Sequence, residues 1–221
     1  MTDMAILWDF RWRLLEGLWM TAQVSALAIL LALGVAFLCG FGLVSRSAWL
    51  RGPVTLFVEF ARGTPLLAQL FWVYFVLPGF GLMLDPYVAG VLVLGLCNGA
   101  YGAQIVTGAL SSVTTAQREA GVALNFTRAQ IMRYVVLPQA SVVMLPLFSN
   151  LAIEIVKGSA LISLIGLADL SFQAKSIMLI HVNTPAVLLV VLLAYFALAL
   201  ILSAAFRALE ARLCGAWTGR R

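Results

Sequence analysis

Charged side chains are scarce in this chain. They make up 10% of its 221 residues, whereas soluble domains carry about 25%. Apolar types account for 63%, and the mean hydropathy is +1.04. That scarcity excludes an ordinary soluble domain and leaves a one-domain integral membrane protein. Histidine occurs once, at His181, so a zinc site of the His-Glu-x-x-His kind is excluded on ligand count. His181 is read as a membrane-interface residue rather than a base. No Gly-x-x-x-x-Gly-Lys-Ser/Thr run occurs, so the chain has no phosphate-binding loop of its own. The few aspartates never cluster, and no serine stands beside a plausible base, which leaves a membrane-embedded enzyme without material. Cys39 and Cys97 lie in apolar runs and Cys214 in the basic tail, with no pairing or metal spacing among them. No internal repeat is visible, so an inverted-repeat carrier built from this chain alone finds no support. The formal charge of +5 could suggest nucleic acid. The arginines, however, cluster between apolar runs as the positive-inside rule expects, so no nucleic-acid partner is assigned.

Five long apolar stretches are present. Residues 1–16 hold Trp8, Phe10, Arg11, Trp12 and Arg13, an amphipathic segment suited to a membrane surface. Gly17 to Ser45 carries no charge at all and makes the first span; it is too long for a signal-peptide core, and no obvious cleavage site follows it. Thr55 to Leu77 makes a second span, interrupted by Glu59, Arg62 and Pro65. Pro78-Gly79 and Asp85-Pro86 bracket a connector, and Tyr87 to Val113 makes a third span. Ala140 to Val156 gives a fourth and Pro185 to Phe206 a fifth. Gly158 to Val182 is apolar but carries Asp169, Lys175 and His181, and is expected to form broken helices at one end of the bundle. Orientation decides against a sixth span there. With five, Arg46, Arg51, Arg118, Arg128, Arg133, Arg207, Arg212, Arg220 and Arg221 share one side, and only Arg11, Arg13 and Lys175 fall on the other. The amino terminus is therefore expected outside, and residues 214–221 are expected as a basic cytoplasmic tail.

Residues 114–140 are the longest stretch between spans with a local structure of their own. Thr114 or Thr115 can cap a helix that carries Glu119 near its positive end. Asn125 stands where a helix needs a left-handed residue, a role Gly fills best and Asn next best. Thr127 and Gln130 fit a capping box for a second helix, and Phe126 can staple against Ile131. Pro138 predicts a break or kink near Leu137. The expected unit is a short helix, a corner and another short helix with exposed arginines, read as a dock for another protein.

Charges inside spans are costly against lipid, about 2.5–3.5 kcal/mol each on insertion scales, so they are expected to face protein or water. Glu59 and Arg62 are three apart on a helix, as are Glu154 and Lys157. Each pair either neutralises itself or lines a solute path. The competing functional reading is a small ion-coupled carrier or channel in which these four residues relay ions without ATP.

These strings resemble a known family. Residues 114–140, with Glu119-Ala120-Gly121, Asn125 and Leu137-Pro138, are similar to the Glu-Ala-Ala loop of permease subunits in binding-protein-dependent ABC importers of the polar amino acid type. Gly121 stands where the family usually has Ala, and Asn125 where it has Gly. Arg62-Gly63-Thr64-Pro65-Leu66-Leu67-Ala68-Gln69-Leu70 is similar to a second family run. Ala100-Tyr101 and Gly108 follow the third-span pattern, with Gln104 and Thr107 replacing a Glu and an Arg. Asn150, Lys157, Ser159 and Leu161 match a fourth, and Leu209-Glu210-Ala211-Arg212 resembles the closing motif. The resemblance implies an all-α, five-span, MetI-like type I importer fold. Residues 17–213 would be the transmembrane domain, with 114–140 as its coupling loop. Glu119, Ala120, Gly121, Asn125, Arg128, Leu137 and Pro138 would couple to a cytoplasmic ATPase dimer. Glu59, Arg62, Trp72, Tyr101, Gln104, Glu154 and Lys157 are the candidate solute pathway. ATP and Mg would bind the ATPase, not this chain. The other implied partners are a second permease subunit, sister or identical, a periplasmic or extracellular solute-binding protein, and a small polar solute, all at a bacterial cytoplasmic membrane. Phe71-Trp72, Phe75 to Pro78, Leu84 to Pro86, Ala123 to Asn125 and Asp169-Leu170 look most like the ectoine and hydroxyectoine branch.

Overall fold

The computed structural model describes residues 3–180 and 184–215, and among them every regular element is helical. His181 and the Arg220–Arg221 end lie outside the described residues, as does the thiol of Cys214. The first helix, α1 (Asp3–Val44), runs without a break through the amphipathic segment and the first span. It is followed by α2 (Ala48–Gly63) and α3 (Leu66–Phe71), then by α4 (Pro86–Ser112), α5 (Thr115–Ala123), α6 (Arg128–Ile131), α7 (Leu137–Gly158), α8 (Leu170–Ile180) and α9 (Thr184–Gly215). Four helical stretches are long and apolar enough to cross a bilayer, and the α2–α3 pair makes a fifth if the bent unit counts as one span.

The interruption expected within the second span, Thr55 to Leu77, is a sharp bend at Pro65. The chain turns by 104° between α2 and α3. Thr64 takes an extended conformation (φ −114°, ψ 141°), as the residue before a proline must when the α region is sterically closed to it, and Pro65 then opens α3. The carbonyls freed at the corner do not go unpaired. The Gln69 amide donates to Ala61 O (2.8 Å), Thr64 O (3.2 Å) and Thr64 Oγ1 (2.7 Å), tying both arms together. Beyond Phe71 the helix widens into a π segment, Trp72–Val76, and tightens into a 3-10 turn, Leu77–Phe80, which Gly81 ends at φ 87°. Asp85 caps α4 by accepting from Tyr87 N (2.8 Å), with Pro86 in the first turn, where no donor is lost.

The core is built on close contact between α1 and α4. Ala28, Ala32 and Ala36 are fully buried opposite Gly95, Gly99 and Gly102. A Cβ on Gly95 would lie 2.5 Å from Leu31 Cδ2, and one on Gly99 2.6 Å from Val35 Cβ. The two backbones approach as only small residues permit, which is how membrane helices gain packing where lipid gives no hydrophobic drive. One core cluster joins Val24, Leu70, Leu94, Ile155 and Ile162, and a second joins Ala36, Val106, Leu110, Ile131, Val136 and Phe148.

The break or kink expected near Leu137 takes the form of a widened helical turn. α6, a π segment (Met132–Val136) and α7 form one apolar stretch, Arg128–Ile165, with the 3-10 segment Ser159–Ile165 at its far end. The π turn relieves the clash that Pro138 makes in a normal helix, so the chain passes the proline without stopping. The second short helix is therefore the root of the fourth span.

Gly158 onward forms the expected broken helices: the 3-10 segment and then α8. Asp169, buried to 1% exposure, caps α8 by accepting from Phe172 N (2.8 Å), while Leu170 N donates to Thr21 Oγ1 of α1 (3.1 Å). Burial pushes the Asp169 carboxyl up to about 6. The Phe172 and Ser171 amides, the Lys175 ammonium and the Tyr195 hydroxyl oppose that rise only in part. A carboxyl raised on folding binds protons more readily in the folded state, so the contribution of Asp169 to stability is greatest below about pH 4 and is lost as pH rises through about 6. The thermal unfolding midpoint of the detergent-purified chain is expected to drop across that window, and Asp169→Asn is expected to flatten the drop. An unchanged slope in the Asn variant would contradict the assignment.

Candidate functional site

A cavity of about 630 Å³ opens where the α2–α3 corner, the middle of α4 and the end of α7 meet. Arg62 and Thr64 come from the corner, Asn98 and Tyr101 from α4, and Glu154 and Lys157 from α7. Neither charge pair suggested by the sequence forms. Among the described residues, Arg62 is not bonded to Glu59, nor Glu154 to Lys157. Arg62 instead lies over the Tyr101 ring, its Cζ 5.3 Å from the centroid, and the Tyr101 hydroxyl donates to Arg62 O (3.3 Å). Such a cation–π contact gains strength away from water. The Arg62 Nε is buried without a hydrogen-bond partner. Cys97 sits behind the corner, its thiol donating to Ala61 O (3.5 Å).

Three other candidates lie elsewhere. Glu59 is exposed on α2 and outside this cavity, although it lies on the same helix as Arg62. Trp72 is half exposed on the π segment, also outside it. Gln104 lines a neighbouring cavity of about 420 Å³, along with Tyr101, Asn150 and Glu154. Thr107, three residues on, donates to its own helix at Ala103 O (2.8 Å) rather than to Gln104. Asn98 was not among the sequence candidates. It is buried in α4, and its amide donates to Leu94 O (2.8 Å). A lone amide in an apolar span is the signal that could have found it. Among the described residues, no group of three His, Cys, Asp or Glu is placed to hold a metal ion.

The second site is the corner between α4 and α7. Thr114 takes the N-cap position of α5, and Asn125 adopts φ 56°, the left-handed conformation expected of it. Phe126 N donates to Gly121 O (3.0 Å) and Asn125 N to Val122 O (2.9 Å), the double closure of a Schellman motif. The capping box forms: Thr127 N donates to Gln130 Oε1 (2.8 Å), and Gln130 N to Thr127 Oγ1 (3.3 Å). Phe126 packs toward the Tyr134 ring (6.4 Å). It is Gly121 that meets Ile131, since a Cβ there would lie 2.9 Å from Ile131 Cγ1. Glu119, Ala120 and Arg128 are exposed, whereas Leu137 and Pro138 are half-buried at the root of α7. Arg118 departs from the expected exposed face: its guanidinium folds back and donates to Leu110 O at the end of α4. Val122 and Leu124 leave apolar surface open on α5.

The comparisons agree with this architecture. Residues 19–214 match the family described as "Binding-protein-dependent transport system inner membrane component". The chain is 42% identical over 219 residues to the probable amino-acid ABC transporter permease protein y4tF of Sinorhizobium fredii, covering 96% of this chain and 92% of that one. It is 36% identical over 214 residues to the glutamine transport system permease protein GlnP of Escherichia coli, covering 96% and 97%. The crystal structure of an amino acid ABC transporter with histidines superposes with a TM-score of 0.88 at 31% identity, covering 96% of this chain and 99% of that chain. With a family match over most of its length, an all-helical fold and two close relatives of nearly full span, the chain belongs to the inner-membrane permease family of binding-protein-dependent ABC importers.

Proposed function

We propose that this permease forms half of a path for a polar amino acid or related zwitterion, opened and closed by a separate ATPase. The observation that carries the reading is the cavity that gathers Arg62, Tyr101, Glu154 and Lys157 from three separate elements. A zwitterion needs an anionic and a cationic contact. Glu154 offers the first, and Lys157 and Arg62, the latter held over the Tyr101 ring, the second. Asn98, Thr64 and Gln104 add neutral hydrogen-bonding groups beside them. Relatives named for amino-acid and glutamine transport support that solute class. None of the names above supports the narrower ectoine reading, and the proposal rests at the class.

Glu119, Ala120, Gly121, Asn125 and Arg128 form the contact with the ATPase, which binds ATP and Mg. Leu137 and Pro138 carry the movement into α7. The remaining partners are a second permease subunit, sister or identical, and a solute-binding protein. The amino terminus faces outward and the α9 end faces the cytoplasm of a bacterial inner membrane. Rigid-body movement of packed helices transmits the stroke.

The test is uptake of labelled glutamine, cystine and ectoine by vesicles holding the complete transporter. ATP inside is expected to drive uptake, and an ion gradient alone is not. Glu154→Gln is expected to lower uptake by about tenfold, the loss of one charge-assisted contact. Uptake driven by the gradient without ATP would establish the ion-coupled carrier instead.

A further inference from the structure

The outer turns of α1 carry a feature that neither the cavity nor the corner uses. Trp8, Trp12, Leu15 and Trp19 follow one another at spacings of three and four, and all are more than half exposed. The Arg11 guanidinium lies 4.2 Å from the centroid of Trp8 and 5.6 Å from that of Trp12, and donates to Trp8 O. Below it an apolar groove of about 320 Å³ runs between α1, α8 and α9, walled by Leu14, Leu18, Leu170, Val190 and Ala194, with Arg11 as the one charged lining residue among the described residues.

Depth and charge say what fits. Leu14–Leu18 and Val190–Ala194 are matching one-turn steps along the two walls. Val190 lies five residues from Pro185, about 8 Å along the helix. Arg11, one turn before Leu14 at the end of the groove, therefore stands near the level at which α9 enters the bilayer. Tryptophan and arginine at that level mark the headgroup region. Asp9 and Glu16 fall about 200° and 140° round the helix from Arg11, so neither carboxylate faces the groove. A peptide or a second helix would bring backbone or bulk to a channel that has apolar walls and one cation at its end. A hydrocarbon chain with an anionic head matches both.

We propose that this groove binds an anionic glycerophospholipid. An acyl chain lies along Leu14, Leu18 and Val190, and the phosphate sits on Arg11 beside Trp8 and Trp12. The long arginine stem lines the groove while its head reaches the interface.

The test is native mass spectrometry of the full-length chain in detergent, titrated with phosphatidylglycerol or phosphatidylcholine of the same acyl length. The chain is expected to hold phosphatidylglycerol about fivefold more tightly, the effect of one cation beside an anionic surface. Arg11→Gln removes the preference and Arg11→Lys restores most of it. Ala194→Trp, which fills the groove, lowers retention of both lipids. Equal binding of the two lipids overturns the proposal, as does an unchanged preference in Arg11→Gln. So does full competition by glycerol phosphate, which has no chain to occupy the groove. Cross-linking from Leu15 to a second permease subunit in vesicles would likewise overturn it, by making the groove a subunit interface.

Discussion

Replacing Gly121 by leucine is expected to abolish ATP-driven uptake while leaving the chain in the membrane at near wild-type abundance. A Cβ at this position already falls 2.9 Å from Ile131 Cγ1, and Ile131 is held in a core cluster with Val136 and Leu110. The leucine side chain has nowhere to go except by lifting α5 off the root of the fourth span. Few other contacts hold α5, so the damage stays at the corner and the bundle survives. Gly121→Ala separates the two opposing effects. Alanine favours the helix by about 1 kcal/mol, and overpacking costs about 1–3 kcal/mol, so a loss of severalfold or less is expected. Uptake assays on both variants, with the co-purified ATPase quantified, check the pair. Normal transport by Gly121→Leu would show that the corner does not carry the stroke.

Gln69→Leu is expected to lower both stability and uptake, the latter by about tenfold or more. The single amide reaches three oxygens across the 104° bend. Each carbonyl left without a partner in a low-dielectric setting costs about 1–3 kcal/mol. Gln69→Glu is the sharper variant. An ionised carboxylate would face three acceptors with nothing to donate, so it should be worse than the apolar replacement although nearer in shape. Arg62 and Thr64 belong to the same corner, so the cavity should lose its form with the bend. Thermal unfolding in detergent and uptake in vesicles read the two consequences separately. A Glu variant as stable as wild type would remove Gln69 from the account of the bend.

Much of this architecture is legible in residue order, and the exceptions have physical causes. The corner is local: Asn125, Thr127 and Gln130 act on their own neighbours, so spacing alone anticipates the left-handed residue and the capping box that form. The α2–α3 bend is not local. Pro65 announces an interruption, but its direction depends on Gln69 and on packing against Cys97 and Tyr101 of α4. Glu59 and Arg62, three apart on one helix, do not share the cavity, and Arg62 meets an aromatic ring from a different helix, a contact that residue order does not announce. Pro138 announces a break or kink, and the form it takes is a π turn before the proline through which the helix continues. Asn98 carries no charge to mark it in the sequence, yet a buried amide carries the same kind of desolvation cost as a charge at membrane depth.

Cross-linking in intact membranes tests the central claim most directly. A photoactivatable residue at Val122, exposed on α5 beside Glu119 and Ala120, is expected to capture the nucleotide-hydrolysing subunit, with a yield that changes when ATP is bound. Failure to capture any ATPase, or labelling of that position by a reagent confined to the outside, would contradict the account.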